Sequence, residues 1–155
     1  MPADTRAVYD GYFNCTPECW SIFTEVIGRD FSNAVLFGQV HQLTVDAYAV
    51  QHAGGRHPDK SVDVHLTGLY LVFERGIAPT SVAPLLQQLA TRVHDWPHFD
   101  PPTIEWPITI FDVATADDHI AAVRDWSAGV WAGWGRHHEA IASLCELAKQ
   151  RRSRA

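Results

Sequence analysis

Nine histidines and three cysteines supply the most reactive side chains of this chain, and their spacing concentrates the chemistry between His41 and His65. Imidazole and thiolate bind zinc, iron or nickel, and both exchange protons near neutral pH. His52 and His65 form the sharpest pair. The segment from Asn33 to His52 reads as a helix, Ala53-Gly54-Gly55 as a tight exit, and His65 as an early residue of the returning helix. Both imidazoles then sit at one end of an antiparallel hairpin, where they suit two ligands of a divalent metal. His41 is excluded from that ion, because an unbroken helix separates it from His52 by roughly 16 Å. His138, one turn past Trp134, is a candidate third ligand. Cys19 is a further one, in the first turn of a helix begun by Thr16-Pro17. The plain alternative for each histidine is a hydrogen bond to a backbone carbonyl or to an acid such as Asp63.

Other signatures are missing. The segment from His41 to His65 has no HxxxH spacing, and the chain has no HExxH, no G-x-S-x-G, no phosphate-binding loop and no dinucleotide fingerprint. Cys15 and Cys19 have metal-site spacing, but no second pair follows them. Cys145 lies among Ile141, Leu144 and Leu147 and reads as core.

The helix from Asn33 to His52 must position this chemistry. At 100° per residue, Leu36, Val40, Leu43, Ala47 and Val50 fall in one apolar stripe. His41, Thr44, Tyr48, Gln51 and His52 form a second stripe, roughly 120° around the helix. A solvated face would be filled with Lys, Arg and Glu, and this helix has none of them. The polar stripe therefore predicts either a pocket lined by His41, Thr44, Tyr48 and Gln51, or a buried polar layer joining helices.

The remaining elements are also helical. One helix begins at Thr16-Pro17-Glu18, carries Trp20, Phe23 and Ile27, and stops near Gly28. Ser32 is the expected cap of the next helix, and Ser61 that of the third, which closes at Gly76. A fourth opens at Thr80 or Ser81 and runs through Val93. Pro97, Pro101, Pro102 and Pro107 then impose a loop. Thr109 is read as the cap of a brief helix rather than the start of a strand, which would lack a partner. Asp117 or Asp118 starts a long helix to Trp134, and a last one runs from about His137 to Gln150. The fold class is all-α: a single domain over 1–155, built as a compact bundle of about six helices with the proline-rich loop before the C-terminal ones. Residues 1–14 read as a mobile arm and 151–155 as a mobile basic tail.

Composition supports a folded globule, with 46% apolar and 19% charged residues. A formal charge of −6 disfavours nucleic acid as a partner. The opening MPADTRAVYDGY has no apolar signal core and no segment reaches the length of a membrane span, so the expectation is a cytoplasmic protein with reduced thiols.

The string HQLTVDAYAVQH over residues 41–52, its glycine turn and Val64-His65-Leu66 resemble the core signature of a bacterial family catalogued as domain of unknown function 5946. Cys19-Trp20, Asp112-Val113, Trp126, Trp131 and His138 also fall where that family's pattern places them, so the resemblance runs from about Cys19 to His138. It implies no established reaction. Many similar sequences carry a Cys-Pro-x-Cys start that suggests a metal ribbon, whereas this one has only Cys15 and Cys19 there.

Two functions follow from the residues. One is a metal-binding protein or metal-dependent enzyme acting on a small molecule. His52, His65, His138 and Cys19 would be its ligands, and Tyr48 and Gln51 would support them or orient substrate. The other is a non-catalytic interaction module, with the polar stripe as structure and exposed aromatics such as Trp106 or Trp131 meeting a partner.

Overall fold

The computed structural model describes residues 11–152. Among these the chain forms seven α-helices and no strand: α1 Pro17–Phe31, α2 Ala34–Gln51, α3 Asp59–Phe73, α4 Pro79–Arg92, α5 Ile110–Thr115, α6 His119–Gly133 and α7 His138–Arg152. A short 3₁₀ turn, Gly135–His137, joins the last two. No helix among the described residues is long and apolar enough to cross a membrane.

Local chemistry sets the helix starts. The Thr16 side chain accepts the Cys19 N–H at 3.2 Å with Pro17 behind it, so α1 begins where the sequence places it. It continues past Gly28 to Phe31, because an isolated glycine costs a helix only about 1 kcal/mol. Asn33, not Ser32, caps α2: its extended backbone lets the side chain accept the Val35 and Leu36 N–H groups. Ser32 instead turns its hydroxyl back onto the Arg29 carbonyl. The third helix starts at Asp59 behind an N-cap at Pro58, ahead of the expected Ser61, whose hydroxyl is engaged by His57. Thr109 and Asp112 form a reciprocal capping box, which makes α5 a helix despite its short length.

Helix α2 is the axis of the bundle and packs against α1, α3, α4 and α6. Its apolar stripe is buried through Val40, Leu43, Ala47 and Val50, as the periodicity requires. The second stripe is covered too, since Thr44 and Tyr48 are fully buried. The absence of Lys, Arg and Glu is thereby explained: α2 has no solvated face over its C-terminal half. Trp131 is buried rather than exposed, donating its indole N–H to Glu74 at 2.8 Å. Trp106 is half-buried, its ring lying against Gly133. These two positions correct the expectation of an exposed aromatic surface there. Of the expected arm, residues 1–10 lie outside the described residues, as do 153–155 of the tail. Residues 13 and 14 are packed onto the bundle: Phe13 meets the edge of Tyr48, and the Asn14 N–H donates to the His52 carbonyl at 3.0 Å.

One close approach ties α2 to α3. Asp46 is fully buried on α2, and a Cβ added at Gly68 of α3 would collide with its carboxylate. Exchanging glycine for alanine inside a helix ordinarily gains about 1 kcal/mol. At position 68 the sign reverses. Gly68→Ala should cost about 1–3 kcal/mol in urea unfolding, the range for overpacked cores. Gly129→Ala, where an added Cβ meets nothing within 4 Å, should be neutral or stabilising.

Candidate functional site

The C-terminal turn of α2 and the first turn of α1 bring together two thiols, a phenol and an imidazole. The Tyr48 hydroxyl lies 3.0 Å from Cys15 Sγ and 3.4 Å from Cys19 Sγ, and Cys19 Sγ lies 3.5 Å from His52 Nε2. All three cysteines of the chain are thiols. Each side chain is placed by a local rule. Cys19 faces inward because Thr16-Pro17 fixes the start of α1 one turn earlier. Tyr48 and His52 are four residues apart on α2 and therefore share a face, with ring centroids 4.3 Å apart.

Aromatic rings wall this cluster. Phe23 stacks on Tyr48 at 3.8 Å, while Phe13 meets it edge-on and Trp20 packs against both Phe13 and Phe23. The consequence is electrostatic. Burial pushes the Cys19 thiol up, and the Tyr48 hydrogen bond only partly offsets it. Burial also raises Tyr48, with its two thiol neighbours adding to the effect. His52 is lowered to about 4, chiefly by desolvation, with its bond to the Asn14 backbone opposing the shift and His57 adding to it. At neutral pH Cys19, Tyr48 and His52 are thus uncharged: a thiol, a phenol and a neutral imidazole carrying one lone pair.

The histidines expected to join His52 are held elsewhere. His65 Nδ1 bonds Asp46 at 2.8 Å, and the Asp46 carboxylate also accepts both contacts of the Gln42 amide at 3.0 Å. His138 donates to the Trp131 carbonyl at 2.7 Å and stacks on that indole at 3.7 Å. Among the described residues, no group of three or more His, Cys, Asp or Glu side chains stands ready-arranged to hold a metal ion. Of the ligand set read from the sequence, the structure brings together Cys19 and His52 and leaves His65 and His138 with partners of their own. Cys15, outside that set, joins them through the Tyr48 hydroxyl. Its spacing from Cys19 was visible, but the fold of residues 11–16 back onto α2 was not.

The four residues expected to line a pocket are also individually engaged. His41 Nδ1 lies 3.3 Å from Asp30, a buried carboxylate whose other oxygen meets His119 Nε2 at 2.6 Å. Thr44 donates to the Val40 carbonyl. Gln51 donates to the Ile108 carbonyl at 2.8 Å and accepts the Trp126 indole N–H at 3.0 Å. His41, Thr44 and Gln51 thus act as a polar layer, and Tyr48 belongs to the thiol cluster. A cavity of about 400 Å³ opens just past His52, lined by Ala53, Gly54, Arg56, His57, Asp59 and His98 among others, and none of those four residues borders it.

Near that cavity's Asp59 and His98 lies a buried acid with no hydrogen bond. Neither Asp63 oxygen has a partner among the described residues. Burial, then the neighbouring Asp59, raises its pKa to about 8, with His98 opposing. The folded chain therefore keeps a proton that the unfolded chain gives up near 3.8, so this residue's contribution to stability falls as pH climbs from about 4 to about 8. Asp63→Asn removes that loss. The melting-temperature difference between variant and wild type should grow in the variant's favour across that window. A difference that stays constant with pH would show that Asp63 is already ionised in the fold.

A comparison with known proteins gives the chain its place. No curated protein matches it, and no solved structure does. One family model covers residues 3–135, more than three quarters of the sequence and all of the cluster around Tyr48. The chain belongs to the family of unknown function DUF5946.

Proposed function

We propose that this protein binds a thiophilic divalent metal ion, zinc first among the candidates, through Cys15, Cys19 and His52. The observation that carries the reading is the 3.5 Å between Cys19 Sγ and His52 Nε2. Two ligands of one tetrahedral zinc, with bonds of about 2.3 Å to sulfur and about 2.0 Å to nitrogen, stand roughly 3.5 Å apart. The pair already has the separation an ion requires. Cys15 shares the Tyr48 hydroxyl with Cys19 and is the third donor in this reading.

The electrostatics of the cluster favour the same reading. A buried thiol with a raised pKa is a poor nucleophile by itself. A neutral imidazole at about 4 is a weak base at neutral pH but a sound metal donor. What such a site lacks is positive charge, and a bound cation supplies it, deprotonating the thiols as it binds. The Tyr48 hydroxyl would then donate its one proton to a ligating thiolate, a support that orients the ligand and tunes its basicity. Three protein donors leave a fourth position for water or a substrate atom, which is the composition of catalytic rather than closed zinc centres. The cavity beginning at Ala53 suits a small-molecule substrate on that side. Iron and nickel are accepted by the same donors with less preference for thiolate.

Purified protein should carry stoichiometric zinc, or take it up after chelation. Zinc at a hundredfold excess over its dissociation constant should add about 2.7 kcal/mol of stability, a rise of roughly 5–10 °C in melting temperature for a chain of this length. Cys19→Ser and His52→Ala should lose that rise. His65→Ala and His138→Ala should keep it, although each lowers the starting stability. Natively purified wild type with no metal, and no response to added zinc, iron or nickel, would overturn the proposal.

A further inference from the structure

We infer that Cys15 and Cys19 form a reversible dithiol–disulfide couple, so that the same cluster reacts with low-molecular-weight disulfides. As regulation of a metal site this rests on the reading above; as thiol chemistry it is tested on the metal-free chain. Three observations carry it. Both sulfurs lie on one oxygen, the Tyr48 hydroxyl, at 3.0 and 3.4 Å. The backbone turns them together: Thr16 is extended and caps the helix, so Cys15 precedes the first turn and Cys19 ends it. Their exposure differs in the useful direction, with Cys15 half-buried and Cys19 buried.

That asymmetry assigns the order of events. Cys15, the more accessible sulfur, attacks an external disulfide R–S–S–R as its thiolate, forming a mixed disulfide and releasing one R–S⁻. Cys19 then attacks the Cys15 sulfur, and its proton goes to a departing R–S⁻. The Cys15–Cys19 bond forms as the second R–S⁻ leaves, and both leaving groups take up the protons that the two protein thiols lost. The external disulfide is reduced to two thiols and the protein dithiol is oxidised. Oxidation removes two of the three metal donors at once, so it competes with the ion. The Phe13, Trp20 and Phe23 rings restrict access to the inner sulfur, which favours closure within the chain over a lasting adduct.

The test uses full-length protein, metal-free or zinc-loaded, incubated with glutathione disulfide and read by intact mass. Metal-free wild type should lose the mass of two hydrogens, without an adduct, and regain it with dithiothreitol. Cys145→Ser should behave identically, because that thiol lies on α7, lining a separate small cavity with Thr67, Leu71 and Leu89. Cys15→Ser and Cys19→Ser should each lose the two-hydrogen shift. The zinc-loaded chain should oxidise more slowly and release its ion in step with the mass change. A wild type that only accumulates a glutathione adduct, dimerises through sulfur, or keeps all its thiols overturns the couple. Disulfide formation in a chain that never binds zinc would remove the metal reading and leave the couple standing.

Discussion

The buried carboxylate of Asp46 is the constraint around which this bundle is arranged. A fully buried carboxylate is expensive unless hydrogen bonds surround it. Burial raises the Asp46 pKa, and the His65 bond is the largest effect opposing that rise, followed by its charge and by Gln42. His65 stands on α3 and Gln42 on α2, so satisfying this one acid fixes the register of the two central helices. Gly68 completes the arrangement by leaving room for the carboxylate where any other residue would intrude. With α2 and α3 locked, the end of α2 has a fixed place, and Tyr48 and His52 inherit it.

The same logic recurs at the other end of α2. Asp30 on α1 accepts from His119 on α6 and contacts His41 on α2, joining three helices through one buried acid. Gln51 spans a third junction, donating to the Ile108 carbonyl and accepting from Trp126. These are hydrogen-bonded cross-links inside an apolar bundle. They cost desolvation and return a specific packing of helices, since each bond is satisfied in only one arrangement. Helix ends positioned this way can hold the thiol cluster rigidly without a disulfide.

Much of this was legible in the sequence, for identifiable reasons. Helix α2 was visible because its apolar residues recur at helical spacing and because a second stripe lacked charge. The choice between pocket and polar layer was not, since periodicity tells which residues share a face but not what that face meets. The placement of His52 and Cys19 at the helix ends was legible, one from the glycine turn after it and the other from the Thr16-Pro17 start before it. His65 misled because the hairpin argument fixes only which end of a helix a residue occupies. Whether it turns toward His52 or toward Asp46 depends on its rotation about the α3 axis, and the acid on α2 settles that. Cys15 was undervalued because it precedes a helix. Its position depends on Asn14 bonding the end of α2, a contact across the chain that no local pattern encodes.

The partners of the histidines finally separate scaffold from site. His41 and His119 meet Asp30, His65 meets Asp46, and His98 meets Asp59 and Asp100. His57 meets the Ser61 hydroxyl, while His137 and His138 meet backbone carbonyls. An imidazole facing a carboxylate or a carbonyl serves as an N–H donor, and its task is cohesion. His52 is the one whose ring nitrogen meets sulfur among the described hydrogen-bonded histidines, and desolvation keeps it neutral. A neutral imidazole nitrogen directed at a buried thiol has a lone pair to give, and in this cluster the only takers are a proton and a metal ion. The metal chemistry proposed for this corner begins from that one contact.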